Sequence, residues 1–212
     1  MQSRYLDPRE ISALRAACPP LVWLPLQIAI ETGLRIGDVA KLQWNDIEGR
    51  TVRYTAQKTG KAGIACLSEE TAAALRRLRR AAVSRWLFPS PKRPDLHLLR
   101  QTIWKRVKAA CARAGLNPAG VSPHSFRKVY GVTEYHRHGI AAAQAGLQHT
   151  DLATTEIYAL ADWATGENAS EPLRRADLPR ILRYIAAWLD FAPNSAKTTQ
   201  KCKKIAENEK KP

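Results

Sequence analysis

Residues 121–159, VSPHSFRKVYGVTEYHRHGIAAAQAGLQHTDLATTEIYA, are the stretch on which the reading of this chain turns. They carry His124, Arg127, His149 and Tyr158 in that order. Two imidazoles, a guanidinium and a phenol suit a nucleophile that attacks a phosphodiester, so spacing must say whether they can meet. His124 and Arg127 stand at i and i+3, on one face of a helix. Ser122-Pro123 just before them is a helix start, because proline is well tolerated in the first turn. On one unbroken helix the step from His149 to Tyr158 would be about 900° of rotation and ~14 Å of rise, pointing the side chains opposite ways. A break is therefore needed if both serve one site. Residues 150–155 supply Asp and Thr, which cap helices and favour local turns. A short helix from about Thr155 can then swing Tyr158 back.

Composition bounds what surrounds this stretch. A chain of 212 residues has room for one ordinary domain. With 45% hydrophobic residues and six Trp it can build a core, and a net charge of +15 makes its surface strongly electropositive. Nucleic acid is the first partner to consider and an anionic membrane the second. Cys18, Cys66, Cys111 and Cys202 are far apart and form no CxxC pair. They are expected to be thiols, neither a disulfide framework nor a zinc knuckle. The opening MQSRYLDPRE has no signal-peptide pattern, and no apolar run approaches the ~20 residues of a membrane span. The expectation is a soluble, cytoplasmic protein with no membrane partner.

In chain order, Asp7-Pro8-Arg9-Glu10 predicts a capped helix running to about Cys18, where Pro19-Pro20 stops it. Residues 21–32 predict a mostly apolar, central helix ended by Gly33. Arg35 follows in TGLRIGDVAKLQW, with Asp38 three residues on; taken alone, the pair reads as a surface ion pair. From Trp44 to Leu67 the period changes. TVRYTAQ and GIACL read as strands with Lys58-Thr59-Gly60-Lys61 as the turn, and Lys58 at the strand-to-turn junction. Residues 68–83 predict an Arg-rich helix, and residues 97–114 a basic amphipathic helix bearing Arg100, Lys105, Arg106, Lys108 and Arg113. That face is either solvated or a contact for a DNA backbone. His136 and His138 read as the exposed end of a helix, and Trp163 and Trp188 as packing residues. A further helix is expected over about 178–191, and residues 193–212, rich in Lys, are expected to be disordered. The fold class is α+β, mainly α-helical, with a small antiparallel sheet of two or three strands.

Taken together, TGLRIGDVAKLQW, a Lys in a β-turn, HSFR, LQH and a Tyr nine residues after that His form an ordered signature. It resembles the catalytic domain of the tyrosine recombinases, or phage integrase family, over roughly residues 7–160. The resemblance implies a site-specific DNA recombinase that cleaves and rejoins strands for integration, excision or inversion. Tyr158 would be the nucleophile, leaving a 3′-phosphotyrosyl link. Arg35 and Arg127 would clamp the non-bridging oxygens with planar forks that cannot lose their protons. His149 would add a donor, Lys58 (or Lys61, if the turn register differs) would protonate the departing 5′-hydroxyl, and His124 would assist proton transfer at the phenol. Asp38 would support the arginine and histidine. Neither metal nor nucleotide cofactor is implied, since arginines neutralise charge and the phosphotyrosine conserves the bond energy for religation.

The implied partner is double-stranded DNA, held by a homotetramer, with a monomer in solution and accessory DNA-bending proteins. Arg100, Lys105, Arg106, Lys108 and Lys61 are the candidate DNA contacts. Residues 1–192 would form the catalytic domain, and the helix over 178–191 would dock onto a neighbouring protomer. Three features depart from the family pattern. Gln148 replaces the usual Gly before the site His, and Asp38 stands where Glu is also common. Only 34 residues precede Arg35, too few for a separate core-binding domain of about 100 residues. A type IB topoisomerase-like relaxing enzyme and a truncated, DNA-binding remnant are the alternative readings.

Overall fold

The computed structural model describes residues 3–147. His149, Tyr158, Trp163, Trp188, the helix expected over 178–191 and the Lys-rich tail lie outside the described residues.

Local chemistry sets most element ends. Asp7 caps α1 (Pro8–Ala17): its carboxylate accepts from Glu10 N at 2.8 Å, and Glu10 returns the bond to Asp7 N at 3.2 Å. Helix α2 (Pro20–Thr32) ends at Gly33, whose φ of 67° lies in the left-handed region that glycine enters without cost. Arg35 is the N-cap of the short α3 (Ile36–Ala40). Strands β1 (Ile47–Glu48), β2 (Thr51–Thr55) and β3 (Ala62–Cys66) form an antiparallel sheet in that order, with Thr51 opposite Cys66 and Thr55 opposite Ala62. Ser68 caps α4 (Glu69–Arg80), accepting from Thr71 N at 3.1 Å. After α5 (Arg100–Arg113), Ser122 caps α6 (Pro123–His138), and α7 is Ile140–Leu147.

Helix α2 is the central helix the sequence predicts. Trp23, Leu24, Leu26, Ile28 and Ala29 are all buried, and Trp23 meets Phe126 of α6 edge-on at 6.2 Å. α2 packs against α6 and α3, α6 against α7, and α1 against α5. A carboxylate is buried at the centre of this arrangement. Glu31 is only 4% exposed, yet it accepts from Gln27 Nε2, Ser68 N, Ser68 Oγ and Thr71 Oγ1 at 2.7–2.9 Å. Placed at the N-terminus of α4, its charge is satisfied by donors and by the helix dipole together. Glu31 thus joins α2 to α4.

The structure corrects several boundaries. α4 stops at Arg80 and not at Val83, because Ala81 and Ala82 bond three residues back and Val83, 90% exposed, has no core contact to extend the helix. α5 starts at Arg100 and not at His97. His97 pairs with Pro89 in an isolated bridge, and Leu98 N donates to Phe88 O at 2.7 Å, so this backbone is already committed to an extended form. Cys18 and Cys111 are buried thiols whose pKa values burial pushes up. Cys66, at the end of β3, is buried too.

Candidate active site

The site is assembled around the first two turns of α6. His124 is exposed on the first turn, and Arg127, one turn on, is 3% exposed. Arg127 Nη1 donates to Gly33 O and Nη2 to Leu147 O. Gly33 lies two residues before Arg35, and Leu147 two residues before His149. One guanidinium therefore ties together the chain entering both of those positions. A planar fork with its charge delocalised is the side chain suited to bridge two buried carbonyls.

Tyr130, one further turn along the same face, locks the arrangement. A Cβ added at Gly33 would sit 2.5 Å from Tyr130 Cδ1, and one added at Gly146 would collide with the Tyr130 hydroxyl oxygen. The ring is held between two glycines, on the ends of α2 and α7. Sequence reading took Gly33 as a helix stop and missed its second requirement, close approach to a ring 97 residues away. Arg127 and Tyr130 share one face of α6.

Arg35 is half-buried at the start of α3. The ion pair that its spacing to Asp38 suggested does not form. Asp38 is 7% exposed, and its Oδ1 accepts from Gln57 N at 3.2 Å, while Oδ2 has no partner among the described residues. Asp38 thus touches the β2–β3 turn. Arg35 is the N-cap of α3, with extended backbone (ψ 141°) and no side-chain capping bond.

The β2–β3 turn spans residues 56–61, closed by Ala56 N to Lys61 O at 2.9 Å and Gly60 N to Ala56 O at 2.7 Å. Lys58 is exposed within the turn, three residues beyond the end of β2, and not at the strand junction. Lys61, also exposed, closes the turn just before β3. Lys41 Nζ donates to Gln57 Oε1 at 2.9 Å, a second tie from α3 that sequence reading also missed. Contacts across 16 to 19 residues have no local signal.

The basic face expected on α5 is only partly assembled. Arg100 and Lys105 are exposed and Arg106 half-buried. Lys108 donates to Pro118 O and lies 5.6 Å from the centre of the Trp104 ring, whose side chain is 44% exposed. At 100° per residue these cations spread round the helix and do not form one strip. A cleft of about 1110 Å³ lies between the sheet and α6–α7, lined by Glu31, Asp38, Asp46 and Glu134 and by Lys41 and Arg53 among others; Arg35, Lys58, His124 and Arg127 do not line it. His136 and His138 end α6 and are exposed, as expected, with His138 Nδ1 3.3 Å from Glu134. No group of three or more His, Cys, Asp or Glu among the described residues could hold a metal ion.

Comparison with known proteins bears on this arrangement. The chain is 37% identical over 158 residues to the tyrosine recombinase XerD of Agrobacterium fabrum, covering 64% of this chain and 47% of that protein. It is 30% identical over 175 residues to XerD of Haemophilus influenzae, covering 73% and 57%. The chain therefore spans about half the length of the curated relatives it matches. Among solved structures, the fold resembles XerA recombinase (TM-score 0.65, 23% identity, 82% of this chain and 67% of that one). It also resembles lambda integrase bound to DNA (TM-score 0.65, 19% identity, 82% and 65%). The model of the phage integrase family matches residues 4–164, three quarters of the sequence, so this chain belongs to the phage integrase family.

Proposed function

We propose that this chain is the catalytic part of a site-specific recombinase, which cleaves and rejoins double-stranded DNA through a 3′-phosphotyrosyl intermediate to integrate, excise or invert a DNA element. The observation that carries the reading is the bracing by Arg127 of Gly33 O and Leu147 O. It draws the segments leading to Arg35 and His149 towards the helix that bears His124. Membership of the family supports the same assignment.

In this reading the Tyr158 oxygen attacks the scissile phosphorus as its proton passes to His124. The P–O5′ bond breaks, and Lys58 supplies a proton to the departing oxygen. Arg35, Arg127 and His149 hold the non-bridging oxygens as negative charge builds, a contribution made in the transition state more than in the ground state. Asp38 supports the site through the Lys58 turn. Arg100, Lys105, Arg106, Lys108 and Lys61 contact the DNA backbone, where positive charge gives affinity without sequence readout. The active assembly is a homotetramer on DNA, joined by residues 178–191 and aided by DNA-bending proteins. In support, a solved lambda integrase is described as a tetramer bound to a Holliday junction. No helix among the described residues is long and apolar enough to cross a membrane, in keeping with a protein that works in the cytoplasm.

Covalent trapping tests the reading. The protein is incubated in EDTA with nicked suicide duplexes drawn from DNA flanking its own gene, beside Tyr158→Phe. A denaturation-resistant 3′-adduct with the parent alone is expected. Binding without any adduct would replace the reading with a DNA-binding remnant, and relaxation of a plasmid lacking such a site would replace it with a topoisomerase.

A further inference from the structure

Lys58 presents a problem that the rest of the site does not. It is exposed in a six-residue turn, where a flexible four-carbon side chain has no packing to aim it. The bonds closing the turn set its internal shape but not its position relative to Arg35. That position is set through the preceding residue. Gln57 is held at both ends by α3: its backbone N–H donates to Asp38 Oδ1 at 3.2 Å, and its side-chain Oε1 accepts from Lys41 Nζ at 2.9 Å. Asp38 is buried and Lys41 is the C-cap of α3, while Arg35 is its N-cap. Arg35, Asp38 and Lys41 thus recur every three residues along α3 and its caps, with Asp38 and Lys41 gripping the turn.

From this geometry we infer that Gln57 is a positioning residue for Lys58, and that the Lys41–Gln57 hydrogen bond keeps the proton donor in register with Arg35. The inference rests on the proposed function, in which Lys58 protonates the 5′-oxygen. Gln57 and Lys41 are both exposed, so their bond contributes little to global stability. A small displacement of a proton donor nevertheless costs rate steeply, because transfer needs heavy atoms within hydrogen-bond reach.

The test compares two leaving groups in single-turnover cleavage at saturating protein, using the full chain. One substrate is the nicked duplex that yields the covalent adduct. The other is the same duplex with sulfur in place of the bridging 5′-oxygen. A thiolate leaves without a proton, so only defects in proton donation are rescued. Gln57→Ala and Lys41→Met should each slow cleavage of the oxygen duplex about tenfold, a part of the 10²–10⁴ that general acid–base catalysis typically contributes, since the donor is displaced and not removed. The double variant should be no slower than either single one, since both remove one bond. Gln57→Glu, which keeps the acceptor, should cleave at the parent rate. On the sulfur duplex all of them should cleave within about twofold of the parent, as should Lys58→Ala. Parent-like rates for Gln57→Ala on oxygen, or equal slowing on both duplexes, would overturn the positioning role. Failure of sulfur to rescue Lys58→Ala would instead overturn the proton-donor assignment beneath it.

Discussion

Arg127 and Lys58, two cations that the proposed chemistry needs, sit in opposite surroundings. Arg127 is buried, bonded to two carbonyls at the ends of α2 and α7, with Tyr130 wedged between glycines beside it. Lys58 is exposed on a turn held from α3 through its neighbour Gln57. The buried half of the site is inseparable from the core, so its geometry carries the cooperativity of folding. The exposed half can shift without unfolding anything. In a site divided this way the core fixes Arg127, while Lys58 depends on the two bonds that hold Gln57 to α3.

The largest effect expected of this division is at Arg127. Arg127→Ala leaves two buried carbonyls unpartnered and should cost about 3 kcal/mol in urea unfolding. Single-turnover cleavage should fall by at least about 10³-fold. Arg127→Lys can reach only one carbonyl and should fall between. Lys58→Ala is the counterpart: a comparable loss of rate with a stability change within about 0.5 kcal/mol. If both variants unfold at the parent midpoint, the contrast between a core-built and a loop-borne half is wrong.

Two glycines sharpen the same contrast. Gly33→Ala meets both a positive φ and the Tyr130 ring, which Gly146 keeps from retreating. It should cost about 2–4 kcal/mol. Four residues on, a Cβ at Gly37 meets nothing within 4 Å. Gly37→Ala should be neutral or should stabilise α3 by up to about 1 kcal/mol. Thermal melts of the pair, side by side, separate a demand of the site's core from ordinary helix preference.

A smaller effect than those at Arg127 and Gly33 is expected at Glu10 on α1. Burial pushes the Glu10 pKa up, but the Arg4 guanidinium and the Asp7 N–H outweigh it, and the net value is lowered. A carboxyl whose pKa is lower folded than unfolded stabilises the fold above its unfolded pKa, and that contribution is lost as pH falls through the folded value. Glu10→Gln should therefore cost about 1 kcal/mol at pH 7, moderated by solvent around Arg4, and the gap should close as pH drops below about 4. Denaturant melts at pH 7 and 3 give the comparison.

Much of this was legible because it is local. Asp7, Ser68 and Ser122 cap helices through bonds to residues two or three positions on, and the alternation in TVRYT marks a strand. Such signals need no partner elsewhere. The candidate site was legible by order: TGLR, a turn lysine and HSFR follow one another with family spacing. What order could not supply was direction. Asp38 looked like a partner for Arg35 because i,i+3 neighbours on a helix meet, yet Arg35 is the N-cap and Asp38 bonds to Gln57 N instead. The expected starts of α5 and Lys58's place in its turn failed for a related reason, since distant backbone pairing and turn closure claimed residues that propensity had assigned elsewhere.

By itself, then, the sequence determined the helices of the described residues with most of their caps, the small antiparallel sheet, and the order of the candidate site residues. These rest on short-range hydrogen bonds and on which residue types can do the chemistry. Only the tertiary structure decided that Arg127 reaches Gly33 across 94 positions, that Tyr130 needs two glycines, and that α3 grips the Lys58 turn through Gln57. Those contacts exist because the packing of α2 against α6 brings distant backbone within bonding distance.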